Sequence, residues 1–465
     1  MSEISGIADV KGLSYEAKAA VDALLDVYDH VAVNNALRTQ YFDGKVGVKD
    51  IGIDAVPDSA RVDVACDWPE KAVMSVAERS VFDKFVFDDD GEDGSLSRVV
   101  RDNGVPGAYQ RHVASELVHG CMCATVGLDE DGRTAVRFRD AEGCAMVWDE
   151  AAGRIGSGFV VADTRRVPWS PTVPVPVTVN LHLPYGGVIF RREESYRWTA
   201  LEFEHPLDRP MMEPFVFRRD GRHPFGHSRI TREVMTITDS VMRVKEYMEV
   251  SAALYAAPTR WMMGLTEEQY DQMTKSKWSS YIGSWVLGTM DEEGNVPSVG
   301  QFSPASPQPY IDLLMTYAKQ FSASTGVPVN SLGIIQDNPS SAEAIAAARE
   351  DICSIADDLN DSNRKSMRNV ALMAMAVEGN CSIDELDERQ KSVRAHFKPT
   401  MTRSLAETAD AGLKIAQARP GFASSRVFYE MQGFDEAEIV RIESDERRAD
   451  ALDVLSGLSG DGDGE

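Results

Sequence analysis

At 465 residues, with 43% hydrophobic and 26% charged residues, the chain has the composition of a globular protein of roughly two to four structural units, not of a disordered one. Asp and Glu outnumber Lys and Arg by 74 to 48, a formal charge of −26, which argues against a surface that grips phosphates or docks on an anionic membrane. No apolar run reaches the ~18 residues of a spanning helix, MSEISGIADVKG shows no secretory signal, and the scattered Cys66, Cys121, Cys123, Cys144, Cys353 and Cys381 fit reduced thiols better than a disulfide framework.

The first helix is expected from Leu13 to Arg38, with Ser14 as cap and Ala17, Val21, Leu24, Leu25, Tyr28 and Val31 at helical spacing. Tyr41-Phe42-Asp43-Gly44 ends it in a turn. A second helix begins at Asp67-Trp68-Pro69-Glu70, where Asp67 and Glu70 read as a capping box and Pro69 sits in the tolerated first turn. The acidic run from Asp88 to Gly94 lacks the ligand spacing of a calcium loop and reads as a solvated loop. Ser95 to His119 is helical in pattern, broken at Asn103-Gly104 and Pro106-Gly107. From Cys121 to about Phe217 the period changes. The runs CMCATVGL, AVRF, CAMVW, GFVVA, VPVTVNLHL, GVIFR and ESYRW, parted by turn residues, predict an antiparallel sheet with hairpins.

Helical spacing returns after Pro224-Phe225-Gly226 with Ile230, Val234, Ile237, Val241, Val244, Met248 and Tyr255, and must stop before Pro258. A mixed insert from Thr259 to Pro304 follows, and a further helix opens at Pro309 with Tyr310, Leu313, Leu314, Tyr317 and Phe321 on one face. Val327-Pro328 stops it, Asp337-Asn338-Pro339 is turn chemistry, and Ser340 with Glu343 forms a candidate capping box. A helix of nearly forty residues, on the order of 55 Å, then runs to Gly379 on a stripe of Ile345, Ile352, Ile355, Leu359, Met367, Val370, Ala374 and Val377. The polar cluster Asp357, Asp358, Asn360, Asp361, Ser362 and Asn363 interrupts that stripe, so a bend or a solvent-lined middle is expected. Beyond Asn380, Ser382 and Glu385 cap a short helix, Thr402 or Ser404 another, and 457–465 has the composition of a disordered acidic tail.

No phosphate loop, dinucleotide fingerprint, nucleophile elbow or H-E-x-x-H pair occurs. His119, Cys121, Cys123 and Cys144 lack the usual C-x-x-C pairing of a zinc set and read as buried thiols. His223 and His227 read as a surface pair on a loop. The expectation is no catalytic residue, no cofactor and no metal.

Several stretches carry a family resemblance. Gly326-Val327-Pro328, Leu332-Gly333 and the run Asp337-Asn338-Pro339-Ser340-Ser341-Ala342-Glu343-Ala344-Ile345 resemble the loop-and-helix signature of portal proteins of tailed double-stranded DNA bacteriophages, of the siphophage type. Trp68-Pro69-Glu70-Lys71-Ala72-Val73 with Glu78-Arg79 resembles their early wing helix. Pro224 to Ile230 with Thr238-Asp239 is similar to the start of their first stem helix. Ala257 to Gly264 is similar to their stem-to-clip junction, and Gly300-Gln301-Phe302 to the return into the second stem helix. Each motif alone is weak; their order is fairly specific and covers roughly Trp68 to Ala376.

The resemblance implies an α+β portal-like protomer. Its parts would be a mixed α/β wing (1–223), a first stem helix (224–258), a small α/β clip (259–304) and a second stem helix (305–326). A tunnel loop (327–340), a long tunnel-spanning helix (340–379), a helical crown (380–456) and the acidic tail (457–465) complete it. It implies a ring of about twelve subunits at one capsid vertex, used for genome packaging, head–tail joining and DNA ejection. The partners implied are the large terminase, a head-completion or adaptor protein, the major capsid and scaffold proteins, and double-stranded DNA passing without sequence specificity; no membrane is implied. The particle would be assembled in the bacterial host cytoplasm. Val329, Asn330, Ser331, Leu332, Gly333, Ile334, Ile335, Gln336, Asp337 and Asn338 would face DNA. Arg260, Trp261, Lys275, Lys277, Trp278 and Trp285 would dock partners at the clip. The alternatives are another minor head or tail component of a virion and, further off, a zinc-dependent enzyme.

Overall fold

A computed structural model of the chain describes residues 4–49, 61–88, 94–129, 131–167, 170–193, 197–256, 260–268, 271, 285–289, 298–301, 306–334, 342–401, 405–434 and 436–460. The chain divides into two compact units at Thr400/Met401. Helices and mostly antiparallel strands occupy separate stretches, an α+β fold.

In the first unit, α1 spans Tyr15–Phe42, and the Ser14 hydroxyl accepts from the Ala17 amide at 3.2 Å as its cap. α2 spans Trp68–Ala77 with Pro69 in its first turn. Asp67 makes no side-chain cap bond there, because its backbone (φ −93°, ψ 4°) is not in the extended conformation of a capping residue. The expected capping box is therefore absent. β1 (Phe82–Val86), α3 (Gly94–Asn103) and α4 (Val105–His119) follow. The two expected breaks reduce to one: Gly104 turns the chain at φ 56°, while Pro106 sits in the first turn of α4, where a missing N–H is harmless.

The β-rich region consists of β2 (Cys121–Leu128), β3 (Thr134–Arg139), β4 (Cys144–Asp149), β5 (Arg154–Val167), β6 (Ser170–Leu183), β7 (Gly186–Arg192), β8 (Trp198–Glu204) and β9 (Met212–Val216). It forms two sheets, not one: a five-stranded meander β4-β5-β6-β7-β8 and a three-stranded β3-β2-β9. The last strand of the meander spans Trp198–Glu204; of the expected ESYRW run, Glu194, Ser195 and Tyr196 lie outside the described residues. Phe159, Val179, Leu181, Val188 and Phe190 of the meander pack with Ala17, Val21 and Leu24 of α1, which explains the apolar stripe of that helix.

After β9 comes α5 (Arg232–Ala256), then β10 (Arg260–Leu265), β11 (Trp285–Thr289) and β12 (Ser298–Gln301). These three strands form a sheet in the order β11-β10-β12, with β10 parallel to β11 and antiparallel to β12. α6 (Gln308–Thr325) packs along α5, and α7 (Ala342–Gly379) runs 38 residues over β2, β3 and β9. Past α7, Ser382 and Glu385 close a capping box over a 3-10 turn at Ile383–Glu385, a shorter element than the expected helix. β13 (Arg394–Phe397) then returns to pair antiparallel with β1, setting Phe397 opposite Phe82. Residues 380–400 thus belong to the first unit, whereas the sequence reading grouped them with the C-terminal helices.

The middle of α7 differs from the expected solvent-lined bend. Asn360 and Asn363 are buried, in register with Leu359 and Met367, because Ser80, in the turn after α2, and Tyr109 and Glu116 of α4 reach them. Asp358 and Asp361 face solvent as expected.

In the second unit, α8 (Leu405–Ala418), α9 (Arg426–Gln432) and α10 (Glu436–Gly460) follow one another. Ser425 caps α9 by accepting from Phe428 N at 3.3 Å, and Tyr429 Oη donates to Glu446 Oε1 of α10 at 2.6 Å. α10 continues helical to Gly460, past residue 457 where composition placed the onset of the tail; residues 461–465 lie outside the described residues.

Candidate functional site

Four stretches singled out separately in the sequence meet at one corner of the first unit. Gly226, at φ 72°, turns the chain out of β9, and an added Cβ there would come within 2.1 Å of Phe217 O. Three residues on, Arg229 is buried; its Nε donates to Ala72 O of α2 and its Nη2 to Thr325 O at the end of α6, both at 2.7 Å. Burial lowers the guanidinium to about 10, so it remains charged at neutral pH. Phe321 packs against Trp68 with centroids 5.4 Å apart. Asp239 on α5 accepts from Tyr41 Oη at 2.7 Å and from Lys49 Nζ at 2.8 Å. The start of α5, the end of α6, α2 and the C-terminal end of α1 are thereby held as one joint.

Gly326, at φ 75°, ends α6 in the left-handed conformation. The chain enters a 3-10 turn at Val329–Leu332 and leaves it through Gly333 at φ 81°. The candidate loop residues do not all present themselves alike. Asn330, Ser331 and Gly333 are exposed, Val329 and Ile334 are half-buried against the main core, and Leu332 is buried. Leu332 therefore departs from the expectation of an outward-facing side chain: it anchors the turn through apolar burial. Ile335, Gln336, Asp337 and Asn338, like the candidate cap Ser340, lie outside the described residues.

Of the candidate docking residues, Arg260 and Trp285 are opposite one another in the β10–β11 ladder, and Trp261 follows on β10. Trp261 crosses Gly300 of β12, where an added Cβ would meet the indole at 2.5 Å, so a larger residue there would have to displace the ring. Lys275, Lys277 and Trp278 lie outside the described residues.

Beneath the long helix is a buried polar chain. Ser80 Oγ donates to Asn360 Oδ1 at 2.6 Å and lies 2.7 Å from Tyr109 Oη. Asn363 Nδ2 donates to Tyr109 Oη and to Glu116 Oε2, each at 2.8 Å. Glu116 Oε1 and Asn363 Oδ1 have no partner among the described residues. Desolvation raises the Glu116 carboxyl to about 8 and pushes the Tyr109 phenol up as well. The sequence reading missed Glu116; the available signal was a carboxylate on the same helical stripe as Tyr109, Val113 and Leu117.

A cavity of about 250 Å3 opens between β9 and α7, lined by Trp148, Arg154, Arg209, Glu213, Arg219 and Lys365 among others. Glu213 accepts from Asn369 Nδ2 at 2.8 Å and is raised to about 7 by desolvation, against the pull of the surrounding cations. Elsewhere, the Cys144 thiol is pushed up by its hydrogen bond with Cys123 and by burial, and Cys121 is pushed up chiefly by burial; such thiols are poor nucleophiles. No helix among the described residues is long and apolar enough to cross a membrane.

The profile of the family described as Phage portal protein, SPP1 Gp6-like matches residues 230–451, from the start of α5 into α10. The chain is 25% identical over 336 residues to the portal protein of Mycobacterium phage L5, covering 70% of this chain and 68% of that protein. It is likewise 25% identical over 346 residues to the portal protein of Mycobacterium phage D29, covering 71% and 68%. Among solved structures, a chain from the virion of a native gene transfer agent particle is similar with a TM-score of 0.45 and 13% identity, over 86% of this chain and 94% of that one. A chain from the neck of the native particle, computed with C12 symmetry, is similar with a TM-score of 0.42 and 14% identity, over 79% and 90%.

Proposed function

We propose that the chain is a phage portal protein, like the proteins it matches, and that its copies assemble into a ring of about twelve subunits around a bore through which double-stranded DNA passes. It is a virion protein of a structural family, acting as the conduit at one capsid vertex during packaging, head–tail joining and ejection. The observation that carries this reading is the collinear match to two phage portal proteins over about 70% of the chain.

On this reading the joint at Arg229 fixes the root of a stem made by α5 and α6, the β10–β12 sheet is the clip, and the turn at Val329–Leu332 begins the tunnel loop. Val329 through Gln336 carry no charge. Each phosphate contact adds affinity through counterion release, so an uncharged lining on an acidic chain suits a duplex that must slide. Two side chains of α6 also support neighbours: Ile311 and Leu313, on opposite sides of the helix, are 44% and 45% exposed on a single chain. Adjacent subunits in a closed ring would cover them.

The clip would dock the large terminase and, after packaging, a head-completion or adaptor protein. The wing would meet the major capsid and scaffold proteins. Assembly would take place in the host cytoplasm, without catalysis by this chain. An in vitro packaging assay with terminase tests the reading: particles built without this chain should take up no DNA, and uptake undiminished without it would refute the reading.

A further inference from the structure

The loop between β9 and α5 gathers a cluster that neither the bore nor the clip uses. Asp220, His223 and His227 bring one carboxylate oxygen and two imidazole nitrogens within 4.8 Å of one another. His223 Nδ1 lies 3.0 Å from Asp220 Oδ1, and His227 Nε2 lies 2.7 Å from Asp220 Oδ2. The two rings are 4.5 Å apart between centroids. We propose that these three side chains form a binding site for a first-row divalent cation of the zinc or cobalt class, completed by water.

The spacing fits such an ion. A tetrahedral centre with bonds of about 2.0–2.2 Å to nitrogen and oxygen holds its ligands roughly 3.3–3.5 Å apart, which small rotations of these exposed side chains reach. Two imidazoles and one carboxylate suit zinc, cobalt or nickel, and the set is too poor in oxygen for calcium or magnesium. In the free loop the imidazole N–H groups point at the carboxylate; a bound cation takes the place of those protons.

The carboxylate is also held in position. Asp220 Oδ1 accepts from the backbone amides of Arg222 and His223, each at 2.8 Å, the kind of outer donor that orients a metal ligand. The loop itself is pinned: Gly226 N donates to His223 O at 3.0 Å and His227 N to Phe217 O at 2.9 Å. The substitution-intolerant Gly226 lies between the two histidines. Three arginines flank the cluster, and two are turned to aromatic faces: Arg218 lies 5.2 Å over the Phe217 ring and Arg219 4.2 Å over Trp148. A cation here would tie the chain just ahead of Arg229, independently of whether the protein forms a ring.

The test is a titration of the full-length, chelator-treated protein with cobalt(II), read by its visible d–d absorption and then by displacement with zinc. The expected result is one saturable site per chain, weakened by at least about tenfold in His227→Ala and in Asp220→Asn, while His30→Ala binds as the parent does. Circular dichroism of the metal-free variants, expected to match the parent, separates loss of a ligand from loss of fold. Absence of saturable binding, or unchanged affinity in folded His227→Ala and Asp220→Asn, overturns the proposal.

Discussion

Arg229 Nη2 donates to the carbonyl of Thr325 at 2.7 Å, linking the residues that enter α5 to the last residue of α6 across 96 positions of sequence. With its Nε on Ala72 O, this one side chain satisfies carbonyls from two other elements. Replacing it by alanine leaves both carbonyls without that donor and opens a void. Arg229→Ala is expected to lower stability by about 3 kcal/mol, and Arg229→Lys, which reaches a single carbonyl, by less. Thermal unfolding of purified protein checks the order; an alanine variant as stable as the parent would remove the joint from the account.

Glu116 makes stability depend on pH. Its folded carboxyl is raised from 4.5 to about 8 by burial, so the native chain holds a proton that the unfolded chain releases. The stabilisation is fully present below about 4.5, the unfolded value, and is lost as pH rises through about 8. Glu116→Gln keeps an acceptor for Asn363 and removes the titration. The variant is expected to decline less steeply between pH 5 and 8, the remainder including Glu213, which is raised to about 7, and to be the more stable protein at pH 8. Parallel melting curves across that range check this, and identical slopes in the two proteins would contradict it.

The turn after α6 offers cleaner probes of the bore than the isoleucines the sequence first suggests. Ile334 is half-buried against the core, so Ile334→Asp mixes a folding defect with any effect on DNA. Asn330 and Ser331 are exposed; Asn330→Asp and Ser331→Asp should change stability by no more than about 0.5 kcal/mol, spare assembly, and lower the yield of packaged DNA by repelling phosphates. Leu332→Ala, by contrast, should cost about 2–3 kcal/mol. Unchanged DNA yield in the two aspartate variants would take this turn away from the bore.

The exposed apolar side chains of α6 make a separate prediction. Ile311→Glu with Leu313→Glu alters side chains that the single chain leaves about half in water. The protein should still fold, by circular dichroism, but sediment as small species in place of rings. Rings of parental size would place the subunit contacts elsewhere.

Much of this was legible from residues alone. The stripes of α5, α6 and α7 are long enough for helical periodicity to stand out, and Ser14 caps α1 as its pattern predicts. The convergence of Trp68, Arg229 and Gly326 was visible only as an ordered set of short motifs. Other features depend on partners far away in sequence. Asn360 reads as solvated until Ser80, 280 residues earlier, is placed against it, and Asn363 until Glu116, 247 residues earlier, is found beside it. β1 and β13 are too short to show a period, and their pairing joins positions more than 300 apart, such as Phe82 and Phe397. Alternation in β2–β9 marks strands but does not encode which sheet each one joins. Asp220 was overlooked because a carboxylate three residues from one histidine and seven from another has no meaning until Gly226 folds the loop back.

The central claim is that this chain closes into a ring around a channel. Electron microscopy of the purified full-length protein tests it most directly. The expected image is a ring of about twelve subunits with an open centre wide enough for a DNA duplex; particles that are uniformly monomeric or dimeric at the same concentration would contradict it.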